Sequence, residues 1–424
     1  MNFSKILSPV AFILAVCFCL SQSARAGGIS LYEISTPDVG LASAGYAAAA
    51  QDASTLFKNP AGMSRLEGGQ LNSSLQVLYG NAQFSGNSKT TTTGGDGDNA
   101  VGALPGASLF ITYPVTEKLT VGFGTFSYFG LALDYGNNWA GRYYVQNATL
   151  LGLTLMPAAS FKVNDWLAIG GGLNAMYGYL DTEIAVNNVI GSDGKMKLKD
   201  HVWGFGGNAG VMIQPREGTR IGVNYLSQVD LNFNAKPGFN NLGPGLGALL
   251  ANPPTLDLGV TVPQSVMVGV YQDLNEKWAV MADVGWQNWS KFGEVAVGVN
   301  NGSPSGPKDF TTQLHYDDTW HGAAGVQYQY SEAWRFTGGL AYDTSAVSDK
   351  NRSVILPMAA AYRFGLGTFW KMTKSVDLGA AYELAWSGNV PVTQGAPADY
   401  RGEVSGSYNN LCFSFVSLNL NWRF

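Results

Sequence analysis

Segment after segment of this chain alternates apolar and polar residues with a period of two, and no other feature constrains the fold as tightly. At the C-terminal end Val416, Leu418, Leu420, Trp422 and Phe424 fall on one face, opposed by Ser417, Asn419, Asn421 and Arg423. Trp334, Phe336, Leu340 and Tyr342 oppose Arg335, Thr337, Ala341 and Asp343 in the same way. A third case sets Val376, Leu378, Ala380, Tyr382, Leu384 and Trp386 against Asp377, Gly379, Ala381 and Glu383. Such alternation is strand periodicity with one greasy face. No stretch after the N-terminal leader offers the roughly 20 uninterrupted apolar residues of a membrane-spanning helix.

Two environments fit half-greasy strands. A soluble sandwich buries the apolar faces, whereas an outer-membrane barrel turns them to lipid and keeps a polar lumen. Trp166, Trp278, Trp334, Trp386 and Trp422 sit near strand ends, where amphipathic rings suit a membrane interface. The barrel is therefore preferred. Strand-like segments lie near 70–85, 104–114, 119–134, 149–163, 166–185, 200–214, 218–234, 262–274, 277–296, 318–331, 334–345, 355–372, 375–387 and 410–424, which makes fourteen. Connections alternate short and long: Asn164-Asp165, Pro215-Arg216-Glu217 and Asn275-Glu276 are turns, while 86–103, 235–261, 297–317 and 388–409 are loops. Short periplasmic turns, long external loops and an even strand count form the outer-membrane pattern. Closure also leaves no sheet edge facing lipid.

Composition agrees with that environment. Only 13% of the 424 residues are charged, against roughly 25% in soluble domains, yet mean hydropathy is only +0.01. Residues 1–26 read as a secretory signal, with Lys5, an apolar run from Ile6 to Leu20, and Ala24-Arg25-Ala26 as cleavage site. Cleavage after Ala26 leaves 398 residues with a net charge of −7 and a single cysteine, Cys412, so no internal disulfide forms. An acidic exported chain is not a nucleic-acid binder.

Residues 27–68 do not alternate, and about 40 residues cannot build a core of their own. Ile29, Leu31, Tyr32, Ile34, Leu56 and Phe57 would be wasted in water. The segment is expected to fold into the lumen as a plug ahead of a barrel over 69–424, with a short helix over Ala47 to Ala53 ending before Pro60.

The plug with Asn59-Pro60-Ala61, placed before fourteen strands, resembles the FadL family of outer-membrane transporters for hydrophobic compounds. Further matches are Trp286-x-x-Trp289-Ser290-x-Phe292, Ala341-Tyr342-Asp343, and Asn351-Arg352-Ser353 leading to Leu356-Pro357. The resemblance covers essentially the whole mature chain. It implies an all-β, fourteen-stranded antiparallel barrel with a lumenal plug, in a monomer needing no cofactor or metal. The expected partners are outer-membrane lipids and a hydrophobic substrate, with fatty acids first and aromatic or aliphatic hydrocarbons second.

The resemblance also implies sites. An inner pocket is expected where the plug start meets the lumen, at Gly28, Ile29 and Leu31. A kinked third strand opening the wall sideways maps to Phe126, Ser127, Tyr128, Phe129 and Gly130, with Gly130 as the expected bend. Family members that carry fatty acids place basic residues near the carboxylate, but Tyr179 and Asp317 stand there in this chain, leaving Arg335 or Arg423 as substitutes. The loop at 235–261 carries Phe239, Leu242, Leu246, Leu249 and Leu250, with a helical turn expected over Gly245 to Leu250. Apolar residues in an exposed loop mark a binding surface, here for initial capture.

Enzymatic readings lack an inventory. The chain has only His201, His315 and His321, without Gly-x-Ser-x-Gly or His-Glu-x-x-His. An outer-membrane lipase is the sharpest enzymatic competitor, and an adhesin or structural barrel the competitor from another class. Gly204-Phe205-Gly206-Gly207 looks like a nucleotide loop, but it lies inside a strand and is expected to let the plug approach.

Overall fold

The computed structural model describes residues 30–188, 190–300 and 308–424. Fourteen strands, β1 Gln70–Asn81, β2 Gly102–Pro114, β3 Leu119–Asp134, β4 Asn147–Lys162, β5 Leu167–Val186, β6 Gly194–Arg216, β7 Thr219–Leu226, β8 Ser265–Asp273, β9 Trp278–Gln287, β10 Thr319–Gln329, β11 Trp334–Asp343, β12 Ala361–Lys371, β13 Val376–Gln394 and β14 Val404–Arg423, form one antiparallel wall. It closes where β1 pairs with β14 from Gln70↔Arg423 to Asn81↔Cys412. Among the described residues no helix is long and apolar enough to cross a membrane.

The greasy faces point outward. On β14 Leu418 is 56% exposed and Leu420 37%, while Ser417, Asn419 and Asn421 between them are buried in the lumen. Trp334 stacks on Trp370 at one end of β11 and β12, and Tyr342 packs on Tyr362 at the other. Eight residues separate Tyr362 from Trp370, about 26 Å along the strand. A tilt near 40° lowers this to about 20 Å of height, most of the roughly 25 Å apolar band of an outer-membrane barrel. The two aromatic pairs therefore mark its rims.

Alternation located strands but not where they leave the wall. The seventh, expected over 218–234, stops at Leu226, and Val229–Ala235 joins Thr255–Val262, Glu294–Asn300 and Lys308–Gln313 in a separate four-stranded sheet. Val229, Leu231 and Phe233 keep period two and are buried, so the pattern is the same on either side of the departure. This strand, and not the plug, is what the glycines of Gly204-Phe205-Gly206-Gly207 admit. A Cβ at Gly204 would strike Val229, and one at Gly206 would meet the Gln228 carbonyl. The ninth strand, expected to reach 296, ends at Gln287 before the short helix Trp289–Phe292.

Residues 30–66 lie inside the barrel, and Glu67 and Gly68, which lead to β1, are exposed. The lumenal residues form the short helices Thr36–Gly40 and Thr55–Lys58 and the 3-10 turn Pro60–Arg65. The helix expected over Ala47 to Ala53 does not form, because the wall takes its backbone groups. Asp283 of β9 accepts from the Gly45 and Ala47 N–H groups, and Arg220 of β7 donates to the Ala48 carbonyl at 3.1 Å. Elsewhere Ser108 Oγ donates to Ile34 O (2.8 Å), Thr337 Oγ1 to Gly40 O (3.1 Å) and Asn208 Nδ2 to Phe57 O (2.5 Å), while Thr36 and Ser417 hydroxyls share a bond of 2.7 Å. The plug is thus fastened to the wall by polar lumenal side chains, most of them satisfying a backbone group that burial would otherwise orphan.

Candidate functional site: a lumenal cavity behind a break in the wall

Asn59-Pro60-Ala61 is the keystone of the plug. Asn59 caps the 3-10 turn, its Oδ1 accepting from the Ala61 N–H at 3.2 Å. Its Nδ2 donates to Ala47 O (2.8 Å) within the plug and to Val211 O (3.0 Å) on β6. Pro60 sets the first position of the turn, and Ala61 O accepts from Ser160 Oγ of β4 at 3.0 Å. Gly210 is required opposite, since a Cβ there would overlap the Asn59 amide.

The wall breaks at β3. It pairs with β2 only from Leu109↔Thr125 to Pro114↔Thr120, so its upper half, from Phe126, has no ladder to β2. On the other side the register to β4 slips between Phe126↔Thr154 and Phe129↔Gly152. The extra residue falls at Ser127-Tyr128, a bulge that bends the strand. Gly130, the expected bend, pairs with Leu151 in regular register. The start of the plug meets the detached segment: the Leu31 N–H donates to Tyr128 O at 2.9 Å, and Ser30 bridges Phe129. Phe126, Tyr128 and Phe129 are buried and packed against other rings: Phe126 stacks on Phe110, Phe57 lies tilted against Phe126 and Tyr128, and Phe129 meets Phe292 edge-on.

Beside this break lies a cavity of about 140 Å³. Leu31 and Tyr32 of the plug, Leu131 and Leu133 of β3, Trp289, Leu356, Pro357, Met358, Ala385 and Phe415 are among its lining residues. Several come from the segments noted in the sequence. Trp289 and Phe292 sit on the helix after β9, oriented by Asp318, which accepts from Trp286 Nε1 (3.1 Å), Asn288 Nδ2 (2.9 Å) and Ser290 N (3.1 Å). Partial burial pushes the Asp318 carboxyl up, but these donors hold it below its ordinary range. Arg352 is buried and ties down the Leu356-Pro357 loop by donating to Met358 O (2.6 Å) and Pro391 O (2.8 Å).

The cavity floor is ionic, which the sequence reading missed. Arg363 of β12 pairs with Glu33 of the plug, with Asp343 of β11, and with Glu383 of β13 at 2.9 Å. His321 Nδ1 of β10 lies 2.6 Å from Asp343. Four successive strands each send one inward ionisable residue to this point. The available signal was Arg363 and Glu383 standing at inward positions between the outward pairs Tyr362/Phe364 and Tyr382/Leu384.

Other expected site residues are scattered. Gly28 and Ile29, like residues 1–26, where a signal is expected, lie outside the described residues. Leu31 lines the cavity. Tyr179 does not: it belongs to the outward row of β5 with Leu173, under the Lys199 ammonium, its hydroxyl donating to Asp181 at 3.1 Å. Arg335 faces inward but lies at the opposite, short-turn end, over the Phe369 ring. In the loop after β7, Pro244–Leu249 forms a helix with no buried residue; Leu249 is 77% exposed, and Phe239, Leu242, Leu246 and Leu250 are half-buried. His315 is exposed while His321 is buried, and among the described residues no group of His, Cys, Asp and Glu could hold a metal ion.

A closed, plugged, lipid-facing barrel with an apolar cavity is an outer-membrane transport barrel. Over residues 17–424 the sequence matches the family described as outer membrane protein transport protein (OMPP1/FadL/TodX), and the chain belongs to that family. It is 28% identical over 428 residues to outer membrane protein P1 of Haemophilus influenzae, covering 90% of each chain. To the long-chain fatty acid transport protein of Escherichia coli K12 it is 25% identical over 427 residues, covering 90% of this chain and 93% of the relative. Among solved structures, a Pseudomonas aeruginosa FadL homologue superposes with a TM-score of 0.84 at 19% identity over 94% of this chain and 100% of that one. The CymD monoaromatic hydrocarbon channel gives 0.67 at 18% identity over 94% and 99%. The protein is thus an outer-membrane transporter of hydrophobic compounds.

Proposed function

We propose that this chain carries long-chain fatty acids passively across the outer membrane, by way of the apolar cavity and the break beside β3. The observation that carries this reading is the meeting of cavity, plug start and detached β3 at one place. An acyl chain of about 15 methylenes gains on the order of 12 kcal/mol on leaving water, at roughly 0.8 kcal/mol each. The carboxyl end finds no free cation, because Arg363 already faces Glu33, Asp343 and Glu383. It therefore enters as the neutral acid. Protonating a carboxyl of pKa about 4.5 at pH 7 costs about 3–4 kcal/mol, well below what the chain gains. The name of the relative in Escherichia coli supports the same cargo.

A second reading, neutral monoaromatic hydrocarbons, is favoured by size. About 140 Å³ is close to the roughly 150 Å³ apolar cavity that takes one benzene. Uptake of labelled oleate and labelled toluene, each followed between pH 8 and pH 6, separates the two. The fatty-acid reading predicts protein-dependent oleate uptake that rises several-fold as pH falls, because the acid form becomes more abundant. Toluene uptake without oleate uptake, flat with pH, would put the hydrocarbon reading in its place.

A further inference from the structure

Lysine and arginine on the wall strands avoid the outer, long-loop end with one exception. Arg363 faces the lumen, and Lys162, Arg216, Arg220, Arg335, Lys371 and Arg423 belong to the short-turn end. Among the described residues of the wall, only Lys195, Lys197 and Lys199 stand at the outer end, on successive outward positions of β6, while Leu198 between them points inward and is buried. The acids beside them are Glu183 and Asp181 on the facing strand β5. Lys195 is spent, at 2.6 Å from Glu183 and 3.0 Å from Asn137 Oδ1. Lys197 and Lys199 share one carboxylate, Asp181, at 3.2 and 3.9 Å, and their side chains are 46% and 58% exposed. Two ammonium groups to one carboxylate leave a positive charge in excess on the outward face.

We propose that the outer end of β5 and β6 is a docking site for a phosphorylated glycolipid of the outer leaflet, its phosphate held by Lys197 and Lys199. The site is independent of which cargo the barrel carries. Depth fits a headgroup: the Lys199 ammonium lies over the Tyr179 ring, 5.4 Å from its centroid, and one step down the same strands Tyr177 packs against Trp203. The excess charge therefore sits just above aromatic rings of the kind that mark a membrane interface. Lysine stems lie along apolar surface while their ammonium groups reach the anionic headgroups. The wall below fits acyl chains. Phe205 and Leu173 are 72% and 71% exposed, because each pairs with a small residue, Ala175 and Gly207 respectively, and they leave a relief of ridge and groove on the lipid side. Charge complementarity selects the occupant. A zwitterionic headgroup brings a cation to a face that already has one too many, and a phosphodiester brings a single negative charge. A phosphate monoester brings about −1.5 to −2 and three acceptor oxygens, enough for both ammonium groups.

Native mass spectrometry of the intact protein in neutral detergent tests this by titration with diphosphoryl lipid A, phosphate-free lipid A or phosphatidylglycerol. Wild type is compared with Lys197→Gln/Lys199→Gln and Lys197→Arg/Lys199→Arg, with heat-modifiable migration as the folding control. The expected result is saturable binding of diphosphoryl lipid A, weakened at least tenfold by loss of the phosphates or by the glutamine variant and retained by the arginine variant. Binding that does not saturate, or that the folded glutamine variant leaves unchanged, overturns the site. Equal binding of phosphate-free lipid A by wild type overturns the role of the lysines whether or not the variants fold. Phosphatidylglycerol bound as tightly as diphosphoryl lipid A, with the same dependence on the lysines, overturns the glycolipid assignment in favour of a phospholipid.

Discussion

At the scale of single residues, Asn59 shows how one side chain fixes an assembly that has no core of its own. Its amide serves Ala47, Ala61 and Val211 at once, so the plug turn, its neighbour in the plug and strand β6 share one fastening. Replacing it by alanine removes all three bonds, at an expected cost of about 2–4 kcal/mol to plug docking. The wall keeps its own ladder, so Asn59→Ala should migrate as a folded barrel yet pass small hydrophilic solutes, read as raised single-channel conductance. Conductance equal to wild type would deny the keystone role. The motif was legible as a motif, but its bonds were not, because Val211 and Asn59 are brought together only by closure. The same reason explains Arg335 and Tyr179. Parity along β11 correctly turned Arg335 inward, but nothing local said at which end it would act, and the family resemblance put outward Tyr179 in the pocket.

At the scale of elements, the transport role proposed for β3 and the capture role proposed for the loop after β7 can be tested separately. The bulge at Ser127-Tyr128 is one residue of excess against β4, and β2 leaves the same segment unpaired. Deleting Ser127 should restore register, straighten β3 and reduce uptake of hydrophobic substrate to background in a barrel that still folds. Normal uptake by the straightened strand would remove the lateral route. In the loop, helix Pro244–Leu249 carries Leu246 and Leu249 and is capped by Leu250, and none of its own residues is buried. Leu246→Asp with Leu250→Asp should lower uptake at low substrate concentration and spare it at high concentration; unchanged rates at both would leave the loop as mere cover. Strand existence was readable throughout, since period two is set by the backbone pleat. Strand ends were not. Beyond Leu226 the alternation continues into Val229–Ala235, and only the glycines at 178, 204 and 206 give that strand somewhere to lie.

For the whole molecule, the fold turns on whether the greasy face of the sheet points outward, and aromatic rings at strand ends mark that it does. Lipid demands closure and a lipid-facing apolar row, so fourteen strands and their alternating loop lengths follow from patterning alone. The ionic floor of the cavity does not, because it joins Glu33 of the plug to three strands far away in sequence. The proposed transport requires cargo to pass through the lumenal cavity. Ala385 is a buried, inward residue of its lining, and Ala385→Trp would fill most of the space without touching the wall ladder or the plug fastenings. Transfer of labelled oleate into proteoliposomes carrying wild type or Ala385→Trp, matched for folded protein, is the most direct test. Wild type should accelerate transfer over protein-free vesicles and the filled variant should not; equal acceleration by both would contradict the account.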